Sequence, residues 1–521
     1  MDSSHLPSPA ALWRRLVLCL AAPLLLAACS SLPARMAPAP GEPQALIPAS
    51  ALGRIAAVSL PADQPSGFRL LPDGGQAFDT RMQLIDRAER SLDAQYYYIG
   101  HDDSGLAFLR ALTQAAARGV RVRLLVDDLA TDAIEPMLRH MEAQAGMEVR
   151  VFNPFCCGRT SVVGRFGSGA ADLRRLNHRM HNKLLLADGA LAVAGGRNMG
   201  DEYFARNMHS EFVDMDALMA GAIVPQLASV FARYWDSPPA WPLGQLPWDG
   251  KIGDSGEPAA PEPPSALDAL GQTAPGLEFA AGRLTLTGGS AYAFADPPGK
   301  VLNKDLDHLH ANSVTTQVRG AMWTARQEVV VSSPYLIPRE MGMELIRGLA
   351  QQGVKMSILT NSMAANDSIF VHTGYARYRP EMLRHGVDLY ELSPARSGRP
   401  TRSPMGMVPS MSIGRLHAKN LVIDRQTTFI GSMNLDPRSA DKNTELGVLV
   451  DSPALAAQML KVLDMNKRTG AYKLRLDAQG SIEWLATVDG KETVFTSEPE
   501  TTPLMWLQNI FLSPLVPESL L

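Results

Sequence analysis

Two copies of one short segment, separated by a constant interval, are the feature that most limits how this chain of 521 residues can fold. The segment His181-Asn-Lys-Leu-Leu-Leu-Ala-Asp188 returns as His417-Ala-Lys-Asn-Leu-Val-Ile-Asp424. Gly195-Gly-Arg-Asn198 follows the first copy, and Gly431-Ser-Met-Asn434 follows the second. Every matching position is displaced by 236 residues, as from His181 to His417. Such self-similarity predicts that the chain builds one structural unit twice.

The spacing within each copy predicts a half-site on a β-strand. Side chains alternate along a strand, so His181 and Lys183 would share one face, about 6 to 7 Å apart. Asp188 stands seven positions after the histidine, which places it on the opposite face if the strand continues. Strand geometry therefore predicts a structural role for Asp188 and for its counterpart Asp424. Each aspartate would stabilise the hairpin or bind a neighbouring cationic side chain.

Each copy is predicted to continue into a hairpin. Asp188-Gly189 is a turn signal, and Gly195-Gly196 at the end of the return strand allows the backbone to approach closely. Asn198 and its counterpart Asn434 would then lie near the open end of their hairpins, beside the His and Lys pairs. These amides are therefore candidate binding groups.

Two half-sites facing each other would form a phosphodiester site. Lysines and amides can neutralise and hydrogen-bond the non-bridging oxygens as charge builds up. One neutral histidine attacks phosphorus, and the other, protonated, gives its proton to the leaving oxygen. Glu211 and Glu445 open the apolar runs that follow, and a carboxylate there could fix one imidazole tautomer.

The same residues argue against a metal centre. Histidine is a common zinc ligand, but a lysine two residues along the same face opposes a cation, and no cysteine or carboxylate completes a ligand set. The sequence therefore predicts neither a metal nor a cofactor.

At these residues the chain resembles the phospholipase D superfamily, whose signature is H-x-K-x4-D followed by G-[GS]-x-N, in duplicate. The stretches Asn177-His-Arg-Met-His-Asn-Lys183, Gly196-Arg-Asn-Met-Gly-Asp-Glu-Tyr-Phe204 and Phe231-Ala-Arg-Tyr-Trp-Asp236 are similar to bacterial cardiolipin synthases, particularly the cardiolipin synthase C type. A pair of degenerate, non-catalytic hairpins is the alternative. No histidine or lysine of the signature has been lost, which favours an enzyme.

The resemblance implies roles for individual residues. It implies a covalent phosphohistidine, with His181 as nucleophile and His417 as acid. The residues that it implies bind phosphate are Lys183, Lys419, Asn198 and Asn434. Glu211 and Glu445 are implied to orient the histidines. It also places Asp188 and Asp424 in the catalytic set, where strand geometry alone does not.

Hydrophobic patterning outside the motifs predicts an α/β fold. Residues 92–99 and 120–126 are typical of buried strands on either side of an amphipathic helix at 105–118, an alternation that makes parallel sheets. The second half repeats this pattern at 328–335, 341–352 and 354–360. We therefore expect two duplicated phospholipase D-type domains, each a mixed β-sheet flanked by helices, related by a pseudo-twofold axis around one shared active site.

Composition shifts along the chain predict the domain limits. The predicted segments are a lipoprotein signal peptide at 1–28, a Pro/Ala-rich linker at 29–66, a first domain at 67–240, a Pro/Gly-rich connector at 241–276, a second domain at 277–468, and a small β appendage with an apolar tail at 469–521. The tail contains Trp506 and Phe511, which suit either a membrane interface or docking onto the protein itself.

The N-terminus predicts the compartment. Arg14-Arg15 precede an apolar run that is interrupted by Pro23 and is short for a membrane span, which is typical of a signal peptide. Leu26-Ala-Ala-Cys29 resembles a bacterial lipobox, implying cleavage before Cys29 and its acylation. An ordinary secretory signal with an incidental cysteine is the alternative. We expect a lipid-anchored protein of the bacterial envelope, facing the periplasm, with Ser30 favouring the outer over the inner membrane.

Charge indicates which partners the protein can bind, and cysteine content indicates whether it contains a disulfide. The formal net charge of −4 disfavours a dedicated nucleic-acid groove. A local basic stretch, Arg174-Arg175 with His178 and Arg179, suits either an anionic headgroup or a solvated loop. Cys156 and Cys157 could form a strained vicinal disulfide, but two free thiols are the preferred interpretation.

The resemblance to bacterial cardiolipin synthases implies a phosphatidyltransferase that makes cardiolipin from phosphatidylglycerol and a second phospholipid. Three alternatives stay open: a hydrolytic phospholipase D releasing phosphatidic acid, a periplasmic nuclease, and a non-catalytic lipid-binding scaffold. The expected partners are a phospholipid membrane and phospholipid substrates, and the sequence identifies no protein partner. His372, near Asp367 and Tyr375, is a candidate on the acceptor side.

Overall fold

The structure is a computed structural model. It describes residues 32, 35, 50–168, 172–207, 209–253, 256, 258–259, 264–302, 311–398, 400–402, 409–411, 413–488, 491–503, 505 and 507. The predicted signal peptide, Cys29, Trp506 and Phe511 lie outside these residues, so their roles stay predictions.

The first half of the chain contains nine strands and eight helices among the described residues. The strands are β1 Ser66–Leu71, β2 Ser91–Tyr96, β3 Arg121–Asp127, β4 Met147–Phe152, β5 Leu184–Ala187, β6 Leu191–Gly195, β7 Ser210–Val213, β8 Asp216–Gly221 and β9 Ala240–Pro242. The helices are α1 Ala51–Ser59, α2 Gly74–Arg87, α3 Asp103–Ala117, α4 Glu135–Glu142, α5 Val162–Ser168, α6 Leu173–Leu176, α7 Ile223–Trp235 and α8 Pro275–Ala280.

The second half contains thirteen strands and seven helices within the described ranges. The strands are β10 Thr287–Ala295, β11 Glu328–Ser332, β12 Lys355–Asn361, β13 Asp388–Leu392, β14 Pro400–Arg402, β15 Pro409–Met411, β16 Ile413–Leu416, β17 Asn420–Ile423, β18 Thr427–Gly431, β19 Leu446–Asp451, β20 Ala471–Leu476, β21 Ile482–Val488 and β22 Lys491–Phe495. The helices are α9 Val314–Trp323, α10 Arg339–Gln351, α11 Ile369–Ala376, α12 Arg379–Arg384, α13 Pro394–Ser397, α14 Pro437–Asp441 and α15 Pro453–Gly470.

The two halves build the same mixed sheet. The first runs β4-β3-β2-β5-β6-β8-β1, and the second runs β13-β12-β11-β17-β18-β19-β10. In each, the first three strands are parallel and the others antiparallel. Strands β1 and β10 pair antiparallel, which joins the two sheets edge to edge. The predicted duplicated α/β fold is confirmed.

Local sequence explains the two motif hairpins. Asp188 and Gly189 have positive φ angles of 53° and 61°, and Asp424 and Arg425 have 50° and 56°. Two consecutive residues with positive φ are the turn whose twist matches that of the flanking strands. The hairpins β5–β6 and β17–β18 therefore form where the turn signal predicted the first of them.

A hydrophobic cluster shared by the two halves holds them together. Helices α7 and α15, which follow the equivalent strands β8 and β19, contribute buried residues to one cluster drawn from both halves. Phe231 of α7 and Met459 of α15 are fully buried in it. Burying a large apolar side chain stabilises by roughly 1.5–3 kcal/mol, so this shared cluster fixes how the half-sites meet.

Two predicted boundaries are wrong. The linker at 29–66 ends earlier, because Ala51–Ser59 is helix α1, capped by the Ser50 hydroxyl, with Leu52 buried in the core. The connector at 241–276 begins later, because β9 pairs with β4 and Leu243 and Leu246 are buried behind it. In both places apolar side chains dock onto the first sheet despite the Pro- and Ala-rich composition.

The C-terminal strands are present but do not form a separate appendage. β20 pairs antiparallel with β13, and β21 and β22 follow in antiparallel order, so they extend the second sheet. Cys156 and Cys157 are not joined in a disulfide, which agrees with the preferred interpretation. Across the described residues, no helix is both long and apolar enough to cross a membrane.

Candidate active site

The two motif segments meet because backbone of one half pairs with backbone of the other. Strand β16 runs parallel to β7 just before His417. The His417 amide donates to the Val213 carbonyl at 2.9 Å, and the His181 amide donates to the Thr444 carbonyl at 2.8 Å. Both predicted half-sites are thus assembled into one centre.

Each histidine is held by a carboxylate from the opposite half. His181 Nδ1 lies 2.9 Å from Glu445 Oε2, and His417 Nδ1 lies 2.6 Å from Asp214 Oδ2. A carboxylate on Nδ1 fixes that nitrogen as the protonated one and leaves Nε2 for chemistry. The crossed arrangement makes neither half-site complete without the other.

The prediction for Glu211 is wrong, and Asp214 takes its place. Glu211 lies in β7, opposite Gly414 of β16. Strand register explains the difference: Gly195 pairs with Asp216, as Gly431 pairs with Gly447, so Asp214 is the counterpart of Glu445. The segment from Gly195 to Asp214 is five residues longer than the segment from Gly431 to Glu445. The prediction of Glu211 relied on an acidic residue at the start of an apolar run, and that pattern does not show the difference in length.

The predicted orienting role of Glu445 agrees with the geometry. Besides His181, its carboxylate accepts from the hydroxyls of Ser432, at 2.5 Å, and Ser439, at 2.8 Å. Burial opposes its charge, but His181 and Lys183 outweigh burial and lower the pKa of Glu445. It therefore stays ionised at neutral pH.

The lysines lie beside their histidines on the extended segments that precede β5 and β17. Lys183 Nζ donates to the His181 carbonyl at 2.6 Å, and Lys419 Nζ donates to the His417 carbonyl at 2.5 Å. Burial lowers the pKa of Lys183 well below its usual value and that of Lys419 to about 8. An anionic ligand at this centre would favour the charged form of both lysines and offset their mutual repulsion.

Burial also lowers the pKa values of the two histidines. It lowers the pKa of His181 to about 4, with Lys183 adding to the effect and Glu445 opposing it. It lowers the pKa of His417 to about 4 as well, with Lys419 adding and Asp214 opposing. Both rings are therefore neutral at pH 7 in the substrate-free site. A bound phosphate diester would raise these pKa values by its charge.

The asparagines follow the return strands of their hairpins. Asn198 Nδ2 donates to the Tyr203 hydroxyl at 2.9 Å, while the backbone amide of Asn434 donates to Ser439 Oγ. Within the described structure, the side-chain oxygens of both asparagines are buried without a hydrogen-bond partner. Such groups are costly unless a ligand or water satisfies them, which is consistent with a binding role.

The aspartates of the two motifs bind backbone amides at the hairpin turns, whereas the resemblance implies a place in the catalytic set. The Asp188 carboxylate accepts hydrogen bonds from the backbone amides of Glu89, Arg90 and Ser91, at distances from 2.8 to 3.3 Å. Asp424 does the same for residues 326–328. They sit at the hairpin turns and tie them to the start of β2 and β11, which supports the structural role that strand geometry gave.

Aromatic side chains pack around the histidines, and nothing in the sequence distinguishes them from core residues. Tyr97 packs edge-on against His181, with ring centroids 5.1 Å apart, and Lys183 Nζ lies 5.3 Å from the Tyr97 centroid. Tyr203 and Phe212 pack against His417 at 5.1 and 4.9 Å. These rings reduce solvent contact and restrict how the imidazoles can tilt.

The basic stretch before the first motif is largely scaffold. Arg179 is buried and pairs with Asp127, whose other oxygen accepts the Met180 amide at 2.8 Å. His178 is also buried, and its Nδ1 contacts the Arg174 carbonyl. The stretch therefore positions the segment leading to His181, and only Arg174 is exposed enough to meet a headgroup.

His372 does not join the acceptor side as predicted. It is fully buried in α11, with Nε2 at 3.2 Å from Glu498. Asp367 instead accepts from the Tyr335 hydroxyl at 2.7 Å, and both residues line a small cavity together with His417. Among the described residues there is no cluster of three or more metal-binding side chains.

Comparisons with known proteins agree with this duplicated site. The family described as "Cardiolipin synthase, PLD-like domain" matches residues 82–235 and 318–466, once in each half. The chain is 36% identical over 461 residues to cardiolipin synthase C of Escherichia coli (strain K12), covering 86% of this chain and 96% of that protein. It is 25% identical over 394 residues to cardiolipin synthase 1 of Bacillus anthracis, covering 75% and 65%.

A solved structure supports the fold. The phosphatidylserine synthase of Haemophilus influenzae Rd KW20 matches with a TM-score of 0.55 at 12% identity, covering 89% of this chain and 96% of that one. At this identity the likeness concerns the fold alone.

Proposed function

Because the chain belongs to the cardiolipin synthase family of phospholipase D-like proteins and is a phosphatidyltransferase of that superfamily, we propose that it makes cardiolipin. The phosphatidyl group of one phospholipid is transferred to a hydroxyl of phosphatidylglycerol. The leaving alcohol is glycerol when a second phosphatidylglycerol is the donor, and ethanolamine when phosphatidylethanolamine is the donor.

The crossed histidine–carboxylate pairs are the observation that carries this proposal. They present two Nε2 atoms, one from each half, to a centre that also contains Lys183 and Lys419. A phosphodiester needs a nucleophile on one side of phosphorus, an acid on the other, and positive charge on the non-bridging oxygens. The four side chains match these needs without a further group.

The transfer proceeds in two displacements. His181 Nε2 attacks phosphorus, the bond from phosphorus to the leaving alcohol breaks, and His417 gives its proton to that oxygen. His417 then takes the proton of the acceptor hydroxyl, whose oxygen attacks phosphorus and releases His181. The proton lost in the first step returns in the second, so the enzyme is regenerated.

The surroundings of the two carboxylates support this division of roles. Glu445 shares its charge among His181, Ser432 and Ser439, which suits a neutral nucleophile. Asp214 faces His417 at 2.6 Å, and although burial raises its pKa, His417 and Lys419 bring that pKa down to about 2. A carboxylate so firmly ionised favours a protonated His417 once substrate charge is present.

We also propose that the enzyme acts from a lipid anchor at the envelope membrane, on its periplasmic side. This proposal rests on the leader and on Leu26-Ala-Ala-Cys29. An anchor keeps the site close to both phospholipids, which are confined to the bilayer. Radiolabelled palmitate incorporation that is lost in Cys29→Ser would test it, and unchanged labelling would refute it.

Product analysis tests the proposed reaction. Purified protein would be added to vesicles of phosphatidylglycerol, with and without phosphatidylethanolamine, beside His181→Ala and His417→Ala. His101→Ala, an exposed histidine, is the matched control. We expect cardiolipin from the wild type and the control and none from the two site variants. Phosphatidic acid without cardiolipin would mean that water is the acceptor and would refute the synthase assignment.

A further inference from the structure

An apolar cavity lies beside the second half-site. Its volume is about 160 Å³, and it is enclosed between α9, α10 and strands β11 and β12. The side chains that form its apolar wall include Val318, Met322, Leu336, Leu345, Ile346 and Ile358. They are nearly all fully buried, so an empty cavity here lacks the contacts that a close-packed core would make.

The cavity borders the segment that follows the second motif. Asn434, Leu435 and Asp436, which directly follow the Gly-Ser of the second motif, form part of its wall. The next helix, α14, begins at Pro437 and supplies Ser439, whose hydroxyl accepts the Asn434 amide and donates to Glu445. One short segment thus faces the phosphate site on one side and the apolar cavity on the other.

The other end of the cavity opens to the surface. Met341, in the first turn of α10, is 56% exposed and lines the cavity together with partly exposed Arg339. Arg339 pairs with Asp441 of α14 at 2.8 Å, so a charged rim surrounds an apolar interior. An amphiphile with an apolar chain and a polar head matches this distribution.

We propose that this cavity holds one acyl chain of a bound phospholipid while its phosphodiester lies between the two histidines. The inference rests on the proposed function and adds a chain-binding subsite to it. An apolar cavity of about 150 Å³ stays dry and accommodates a benzene-sized group, so this cavity takes a chain segment of roughly six carbons. The remainder of a long chain extends through the mouth at Met341.

The subsite predicts that short-chain substrates are discriminated by length. Moving one methylene from water into an apolar site changes affinity roughly fourfold. Phosphatidylglycerol with two octanoyl chains should therefore have a much higher kcat/KM than the dibutanoyl form, when both are monomeric in solution. The preference should be absent for bis(4-nitrophenyl) phosphate, which has no acyl chain and reports the chemistry alone.

Two variants and one control test the subsite. Val318→Phe fills the cavity, and Met322→Ala enlarges it. Leu349→Ala removes a buried side chain from the same core but outside the cavity wall, so it controls for general destabilisation. The measured quantity is the kcat/KM ratio of dioctanoyl to dibutanoyl phosphatidylglycerol, with bis(4-nitrophenyl) phosphate turnover measured beside it.

We expect Val318→Phe to reduce that ratio by about tenfold or more, whereas Leu349→Ala keeps it. Met322→Ala should raise that ratio, because a larger cavity accommodates more of the octanoyl chain, and this variant keeps the test open if the larger side chain of Val318→Phe prevents folding. Unchanged ratios in both cavity variants would overturn the subsite and leave the transferase assignment intact. Wild-type turnover of bis(4-nitrophenyl) phosphate but of no phospholipid would overturn the proposed function and the subsite together.

Discussion

Replacing Asp214 with asparagine removes the negative charge that faces His417 while preserving the size of the side chain. The amide oxygen can still accept the Nδ1 proton, so the ring keeps its tautomer. What is lost is the attraction between a carboxylate and a protonated imidazole at 2.6 Å. The variant therefore tests whether His417 must carry a proton during the reaction.

The structure sets the expected size of the effect. A hydrogen bond to a charged group contributes about 1.5–3 kcal/mol, which corresponds to roughly 10- to 150-fold in rate. Because the neutral hydrogen bond survives, we expect the lower part of this range for kcat/KM. Loss of the carboxylate also lowers the pKa of His417 further, so the protonated fraction at pH 7 falls and the activity optimum moves to lower pH.

The assay is cardiolipin formation from phosphatidylglycerol, followed from pH 5 to pH 8. Glu211→Gln is the matched control, because it neutralises the carboxylate three residues earlier in the same segment, on the strand paired with β16. We expect the control to lower kcat/KM less than Asp214→Asn does, because Glu211 does not face His417 Nδ1. An equal loss in both variants, or an Asp214→Asn enzyme with an unshifted optimum, would refute the crossed-carboxylate reasoning.

Three other predictions concern stability and pH. Asp188→Ala should lower the free energy of unfolding by roughly 2–4 kcal/mol, since the backbone amides it accepts lose their partner, while kcat/KM of the folded protein stays nearly unchanged; urea denaturation with parallel kinetics measures both. His181 and His417 have pKa values of about 4 in the folded protein and about 6.5 in the unfolded chain, which therefore binds protons more readily. The free energy of unfolding should fall as pH drops from 6.5 to 4, by up to about 3 kcal/mol per ring. The urea midpoints at pH 7 and pH 4.5 should differ less in the His181→Ala/His417→Ala double variant than in the wild type. Lys419, with a pKa of about 8, loses its charge above that pH, so kcat/KM should decline there; a flat profile for bis(4-nitrophenyl) phosphate up to pH 9 would contradict its role in neutralising phosphate.

Much of the fold and site follows from the sequence because the motif is local. The spacing of His181 and Lys183 and the turn at Asp188-Gly189 are set within a few residues, so strand and hairpin geometry alone predicts them. The duplicated motif then predicts two equal domains and one centre, and both sheets do have the same strand order.

What the sequence could not give depends on contacts between the halves. The exchange of carboxylates, Glu445 to His181 and Asp214 to His417, requires knowing which backbone segments face each other. Asp214 was missed because the first half has a longer segment before its carboxylate. The contact of Tyr97 with His181 has no sequence signal, because a strand-end tyrosine looks the same in sequence whether it packs on a leucine or on a histidine.

In the proposed reaction, the two motifs form one centre in which His181 and His417 have different roles. Trapping the covalent enzyme tests it most directly. Bis(4-nitrophenyl) phosphate has a leaving group that needs little acid assistance, so His417→Ala should accumulate a phosphorylated enzyme that peptide mapping by mass spectrometry assigns to His181. We predict that adduct in His417→Ala and its absence in His181→Ala. An adduct on His417 in the His181→Ala variant, or turnover by that variant at the wild-type rate, would contradict these roles.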